Sequence, residues 1–279
     1  MSAAKDKANR RISALKSLLC VGLDSDAAKL PEIFQAYKHP VLEFNRAIIR
    51  ATEDVAVAYK LNTAFYEARG IAGLLDMERT LQSIPDACMT IADAKRADIG
   101  NTSRMYAQAF FDHWSFDALT LAPYMGFDSL EPFFAYEDKL LFVLCLTSNE
   151  GSKDFEEQVM QSGEPLYQNV LAKVAGWSRN GNGGVVVGAT KSILLEEIRR
   201  QAPDLFLLIP GVGAQGGSLE EAVDLGVDRN RQSALINVSR SLIYPAPPPG
   251  SGKFSGIDEY ECAVALEAAK MYDGMKSVL

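Results

Sequence analysis

The chain has 279 residues, 48% of them hydrophobic and 23% charged, and its formal net charge is −8. This negative charge, with no basic stripe to offset it, argues against nucleic acid as a partner, and no apolar stretch approaches the roughly 18 residues that cross a membrane. Length alone does not divide the chain, because one α/β barrel can reach this size.

The elements predicted along the chain begin with a helix over residues 1–19, which lacks the apolar core of a secretory signal. Eight apolar, β-branched or Leu-rich runs follow, and they are continuous rather than alternating, which is typical of strands buried on both faces. The runs cover residues 18–24, 55–62, 88–95, 118–124, 141–148, 184–190, 205–212 and 234–240.

Helix-compatible segments lie between these runs, for example residues 39–52, 101–114, 164–178 and 191–203. Strand and helix alternating eight times predict parallel strands joined by helical crossovers. We therefore expect a single (β/α)8 TIM barrel over residues 1–279 with an extra N-terminal helix. An open, doubly wound sheet is the alternative.

Two segments interrupt this regularity. Residues 149–164, after the fifth run, are polar and contain glycine, so they are a candidate mobile lid. Residues 244–256 are rich in proline and glycine and should form a loop without regular structure.

The four cysteines are far apart in the sequence, and three of them lie inside apolar runs. This distribution fits reduced core residues better than a disulfide or metal framework. We expect a cytoplasmic protein.

Polar residues stand at the end of nearly every apolar run. In a barrel, the carboxyl ends of the strands and the loops after them form the active face, so these residues should converge on one rim. They include Asp24, Lys60, Asp93, Lys95, Tyr124, Thr147, Ser148, Thr190 and Arg240.

The densest charge cluster is DAKRADIGNT at residues 93–102. The period of two in a strand places Asp93 and Lys95 on one side, with Lys60 at the same level of the second strand. Because buried charges must be paired, we expect Lys60 and Lys95 to alternate with Asp93 and Asp98. The cluster is either a structural salt-bridge network or a device that keeps a lysine protonated so that it can deliver a proton to a carbanion.

A second candidate feature is the Gly-rich stretch at residues 209–218, which lies between the seventh strand and a short helix. Such a turn presents backbone N–H groups to a phosphate, and the loops after strands seven and eight are the usual phosphate site of the fold. Gln215 and Arg240 could add hydrogen-bond donors. In the alternative interpretation the glycines only turn the chain and Arg240 is a surface residue.

These motifs together resemble the orotidine 5′-phosphate decarboxylase family. The resemblance covers essentially the whole chain, and the DxKxxDIGNT pattern at residues 93–102 is its most specific part, in the AKRADIGNT form of a bacterial subgroup. It implies a homodimeric barrel, free of metal and cofactor, that converts orotidine 5′-phosphate to UMP and CO2 in the last step of de novo pyrimidine synthesis.

The resemblance also assigns catalytic roles to positions of this chain. Lys95 matches the family's proton donor to C6, and Asp93 matches the carboxylate close to the substrate carboxylate. Lys60 would continue the charge chain and, like Asp24, bind ribose hydroxyls.

The remaining matches concern binding and the dimer. Asp98 and Thr102 would complete the site of the neighbouring subunit. Ser148 would read the edge of the pyrimidine, while Gln215 and Arg240 would grip the 5′-phosphate.

Three other functions stay open at this point. One is a related metal-dependent sugar-phosphate decarboxylase or synthase, and another is an aldolase in which Lys60 or Lys95 forms a Schiff base. The third is a barrel that binds a phosphate ligand without catalysis, although pure binding would not need such crowded charges.

Overall fold

The computed structural model describes residues 2–178, 180–190, 192–212 and 217–279. Within these residues, eight parallel strands form a closed barrel in sequence order, and the last strand pairs with the first. The strands are β1 Leu19–Gly22, β2 Ala58–Asn62, β3 Met89–Arg96, β4 Ala118–Leu121, β5 Leu140–Leu146, β6 Gly183–Val187, β7 Phe206–Pro210 and β8 Ala234–Val238. The predicted barrel is confirmed, and the open sheet is wrong.

Helices follow the strands and cover the outside of the barrel. They are α1 Ala3–Leu15, α2 Glu32–Gln35, α3 Pro40–Thr52, α4 Ala64–Glu67, α5 Gly70–Gln82, α6 Gly100–Ala107, α7 Phe127–Phe134, α8 Leu166–Trp177, α9 Ser192–Gln201, α10 Leu219–Gly226, α11 Arg240–Ile243 and α12 Ile257–Val278. Short 3₁₀ helices span Ala27–Lys29 and Glu150–Asp154.

One predicted helix differs in the structure. The segment 101–114 divides into α6 and a π-helical turn at Gln108–His113. Phe110 and Phe111 are neighbours in this turn and are both buried. Adjacent side chains of a regular α-helix point about 100° apart, so we attribute the wider turn to the burial of both rings.

The extra N-terminal helix is present and closes the amino end of the barrel. The Ala4 N–H donates to the Asp138 carbonyl at 2.9 Å, and Lys5 Nζ donates to the Asp204 carbonyl at 2.7 Å. Lys7 pairs with Asp117 at 2.8 Å. Since these partners directly precede β4, β5 and β7, α1 ties together the starts of three strands.

The remaining sequence predictions about segments and cysteines hold in most respects. Residues 244–256 contain no helix or strand. Cys20, Cys88 and Cys145 are buried free thiols, whereas Cys262 is exposed on α12 and is not a core residue. Across the part of the chain that is described, no helix is both long and apolar enough to span a bilayer.

Candidate active site

A cavity of about 330 Å³ opens at the carboxyl end of the barrel. Residues in or directly after all eight strands line it, including Asp24, Lys60, Asp93, Lys95, Thr120, Ser148, Val186, Gly211, Asn237, Ser239 and Arg240. Larger cavities lie beside α8 and at the amino end, of about 930 and 620 Å³. We assign the site to the rim cavity because it combines several charges of both signs on the face where barrels bind their ligands.

Lys60 is the buried centre of the charged cluster. It extends from β2, is 4% exposed, and its Nζ donates to Asp24 Oδ1 at 3.1 Å and to Asp93 Oδ2 at 2.9 Å. Burial alone would lower the pKa of Lys60, but the two carboxylates outweigh burial and raise it above its usual range. Lys60 therefore stays charged and fixes both acids.

Asp93, on β3, accepts hydrogen bonds from three side chains. Lys60 and Lys95 donate to its two oxygens, the latter at 2.5 Å, and Thr120 Oγ1 donates at 3.0 Å. Burial alone would raise the pKa of this carboxyl, but the two lysines lower it below its ordinary range. Asp93 is thus held as a carboxylate at the floor of the cavity.

Lys95 differs from its neighbours in backbone and exposure. Its φ of 49° lies in the left-handed region, where the β3–β4 register shifts between Ala92 and Arg96. Its side chain is 47% exposed, although Nζ bonds to Asp93. The predicted neighbours Asp93 and Lys95 do meet, but a bulge and not a regular strand alternation brings Lys95 to the cavity.

Asp98 and Thr102 do not join the cluster within one chain. No ion pair connects Asp98 to Lys95 among the residues described, and Asp98 Oδ1 instead accepts from the Ile99 N–H at 2.7 Å. Thr102 is exposed in the first turn of α6. The pairing of Asp98 with Lys95 expected from spacing is therefore absent among the residues described. The Asp98 backbone is instead held at α6, where its N–H donates to Ser103 Oγ and its carbonyl accepts from the same hydroxyl.

Ser148 lines the cavity just beyond β5, where the backbone of Gly188 packs against it. A Cβ at Gly188 would lie 2.8 Å from the Ser148 backbone nitrogen, so a side chain there would displace the serine.

The polar segment 149–164, the candidate lid, is tied to the end of β5. The Thr147 N–H donates to Glu156 Oε2 at 2.6 Å, and Thr147 Oγ1 donates to Glu156 Oε1 at 2.9 Å. The segment also contains the 3₁₀ helix Glu150–Asp154 and a bridge between Val159 and Pro165. In this structure the segment folds back onto the end of β5, and its first residue, Asn149, lines the cavity. Its motion as a lid stays a prediction.

Arg240 lines the cavity from the first turn of α11 and is exposed, with Gly211 and Val212 on the neighbouring wall. A guanidinium at the mouth of a cavity can hold a dianion. Gln215, the other predicted phosphate ligand, lies outside the described residues.

Three residues that support the site were not predicted from the sequence. Thr120 bonds to Asp93, Ser239 Oγ donates to Asp24 Oδ2 at 2.8 Å, and Glu156 holds Thr147. Two of these residues could have been found from the sequence, because Thr120 is a lone hydroxyl in an apolar run and Ser239 directly precedes Arg240. No sequence pattern indicates Glu156, because it is one of several acids in a polar segment.

Comparisons with known proteins agree on one family. The sequence model described as orotidine 5′-phosphate decarboxylase / HUMPS family matches residues 17–253. A Flavobacterium johnsoniae protein named orotidine 5′-phosphate decarboxylase is 49% identical over 85% of this chain and 87% of its own length. A Porphyromonas gingivalis protein of the same name is 48% identical over 96% of this chain and 95% of its own length.

Solved structures give the same result. An orotidine monophosphate decarboxylase of Leishmania donovani superposes with a TM-score of 0.80 at 35% identity, over 98% of this chain and 100% of its own. The UMP synthase of the same organism superposes with a TM-score of 0.86 at 36% identity. This chain spans 57% of that longer protein.

Proposed function

The chain belongs to the orotidine 5′-phosphate decarboxylase family, and we propose that its rim cavity is where orotidine 5′-phosphate becomes UMP and CO2 in pyrimidine biosynthesis. The observation that carries this assignment is the state of Lys95, whose ammonium is bonded to Asp93 on one side and open to the cavity on the other. An ammonium held in place but accessible is what a proton donor requires.

The chemistry explains the need for such a group. The bond between C6 and the carboxylate breaks, and its electron pair stays on C6, where the ring delocalises it poorly. An ammonium fixed beside C6 stabilises that charge without reorganisation. A proton then moves from Lys95 Nζ to C6, and the neutral amine regains a proton from solvent.

Asp93 and Lys60 prepare this step. We assign to Asp93 the position closest to the substrate carboxylate. Its negative charge there raises the free energy of the bound carboxylate relative to that of the neutral CO2 that departs. Lys60 and Asp24 are paired at 3.1 Å and are assigned to the ribose hydroxyls. The raised pKa of Lys60 argues against a Schiff base at this residue, since imine formation needs a neutral amine.

The other end of the substrate is assigned to the opposite wall. Ser148 would bind the pyrimidine edge, and Arg240 with the backbone around Gly211 would bind the 5′-phosphate. Gln215 is proposed as a further phosphate ligand on the motif alone. Binding energy from the dianion can then be expressed at the transition state.

We further propose a homodimer in which Asp98 and Thr102 enter the partner's site. Exposed apolar side chains on the segments after the neighbouring strands β2, β3 and β4 support it: Ile71 is 80% exposed, Ile99 62%, Met105 49% and Tyr124 85%. Exposed apolar side chains of this size are typical of protein interfaces.

A mixing experiment tests the shared site. Lys95→Ala and Asp98→Ala are each expected to be nearly inactive, but refolding the two together should restore about a quarter of wild-type activity, since half of the dimers are mixed and each holds one intact site. A mixture as inactive as its components would contradict shared sites.

The activity is tested by the ultraviolet absorbance of orotidine 5′-phosphate, with EDTA present. The absorbance should fall on adding the protein. A reaction that stops on chelation would favour a metal-dependent relative, and loss of activity after borohydride treatment with a carbonyl substrate would favour an imine.

A further inference from the structure

Lys95 adopts a backbone conformation that residues other than glycine rarely adopt. A φ of 49° is sterically unfavourable for a lysine, which unlike glycine carries a Cβ. The turn lies where the β3–β4 ladder is interrupted, between the pairs Ala92–Leu119 and Arg96–Leu121. Such a turn persists only if the surrounding contacts hold both of its sides.

One side of the turn is held from β4. The Lys95 N–H donates to Thr120 Oγ1 at 3.0 Å, and the same hydroxyl donates to Asp93 at 3.0 Å.

The other side is held by Arg96. Its Nη1 donates to the Ala94 carbonyl at 2.8 Å, which fixes the residue directly before Lys95. Its backbone carbonyl accepts from the Ala122 N–H at 3.1 Å, which resumes contact with the segment after β4. The residues on both sides of Lys95 are therefore anchored through Arg96.

The guanidinium of Arg96 is itself fixed in place. Nη2 donates to Glu67 just after β2, and the carbon Cζ lies 5.4 Å from the Tyr106 ring centroid and 5.6 Å from that of Phe110. Its Nε is buried and has no hydrogen-bond partner among the described residues. Leaving a buried donor unpaired is unfavourable. We therefore infer that the hydrogen bonds to Ala94 and Glu67 set the orientation of the guanidinium.

We propose that Arg96 is a positioning residue for the decarboxylation: its guanidinium clamps the Ala94 carbonyl and so maintains the left-handed turn that aims Lys95 Nζ at Asp93 and the cavity. Arg96 is not among the described residues that line the cavity, so the proposed role acts through Lys95. The inference rests on the proposed role of Lys95 as proton donor.

The test compares Arg96→Met, Arg96→Lys and Lys95→Ala with wild type. Methionine keeps an apolar chain against the two rings but donates nothing, and lysine keeps the charge without the planar fork. For both Arg96 variants kcat should fall about 10- to 100-fold, as for a misplaced catalytic group, while KM and the Kd for UMP change less than about threefold.

A second measurement is the rate at which the C6 hydrogen of UMP exchanges in D2O, followed by NMR. This rate would not change if Arg96 only stabilised the fold. The exchange needs the Lys95 amine at C6 but no departure of CO2, so its rate should fall by the same factor as kcat. Arg199→Met is the matched control, because Arg199 also bonds backbone carbonyls but at the amino end of the barrel. Its kcat and exchange rate should stay at wild-type values.

Several results would overturn the proposal: kcat within about threefold of wild type in both Arg96 variants, recovery of wild-type kcat by Arg96→Lys, or a loss confined to KM. If Arg96→Met does not fold, Arg96→Lys alone carries the test. If Lys95→Ala itself keeps full kcat and exchange, the assigned role of Lys95 is wrong; if only the Arg96 variants keep them, the positioning role alone is wrong.

Discussion

The two ends of the barrel bind their cations in opposite ways. At the amino end, the half-buried Arg199 donates to the carbonyls of Gly226, Leu205 and Ser233 at 2.6 to 3.0 Å. At the carboxyl end, the buried Lys60 donates to two carboxylates. Burial lowers the pKa of Arg199 to about 10, whereas the two acids raise that of Lys60 despite burial.

We infer from this difference that the amino end of the barrel serves stability and the carboxyl end serves catalysis. Carbonyls before β7 and β8 give Arg199 neutral partners that lock the strand starts in place. The acids at the rim give Lys60 and Lys95 charged partners, and Lys95 keeps an open side toward the cavity. Variants at the two ends should therefore affect different quantities.

Lys95→Ala should have the largest effect. Without the ammonium, both the stabilisation of the carbanion and the proton donor are lost, so kcat/KM should fall about 10⁴-fold or more, about 5 to 6 kcal/mol. Steady-state kinetics and a thermal melt measure this. The melting temperature should change by no more than a few degrees, because the side chain is half-exposed. A small kinetic loss would remove the distinction between the two ends.

Arg240→Ala should come next, with a loss of about 100-fold in kcat/KM, typical of removing a charge-assisted contact to a dianion. Orotidine, which lacks the phosphate, is the matched control substrate. On orotidine, the variant and wild type should react at nearly the same rate. An equal loss on both substrates would mean that Arg240 does not act through the phosphate.

Arg199→Met should instead reduce stability. Five carbonyls lose a donor, which should lower the free energy of unfolding by about 2 to 4 kcal/mol, measured by urea denaturation. The kcat/KM of the folded fraction should equal that of wild type. A stable variant with poor activity would contradict the assignment of the amino end to stability.

The smallest expected effect is on the stability of the folded state at low pH. The lowered pKa of Asp93 stabilises the folded state above its unfolded pKa of about 3.9, and this contribution is lost as pH falls toward the folded pKa. The difference in unfolding free energy between wild type and Asp93→Asn should therefore narrow below about pH 4. A difference independent of pH in urea titrations would contradict the ion pairs seen at Asp93.

Much of the fold could be predicted from sequence because strands buried on both faces must be continuously apolar. Each predicted run overlaps one strand, and polar residues after Gly22 and in β2 and β3 reach one cavity as the barrel geometry requires. The local pattern was enough where the backbone is regular.

The site was less predictable where the backbone is irregular. The left-handed turn at Lys95 depends on Thr120 and Arg96, and regular strand spacing cannot reveal it. Asp98, which spacing assigns to the charged cluster, instead accepts a hydrogen bond from the Ile99 N–H. Glu156 acts through the folding of a long insertion back onto Thr147, which has no local sequence signature.

A crystal structure with UMP bound would show whether Lys95 is placed to protonate C6. We expect Lys95 Nζ about 3 to 3.5 Å from C6 of the pyrimidine, with Asp93 between Lys60 and Lys95 and the phosphate beside Arg240. Nucleotide bound at the rim with the Lys95 amine directed into solvent, away from C6, would contradict it.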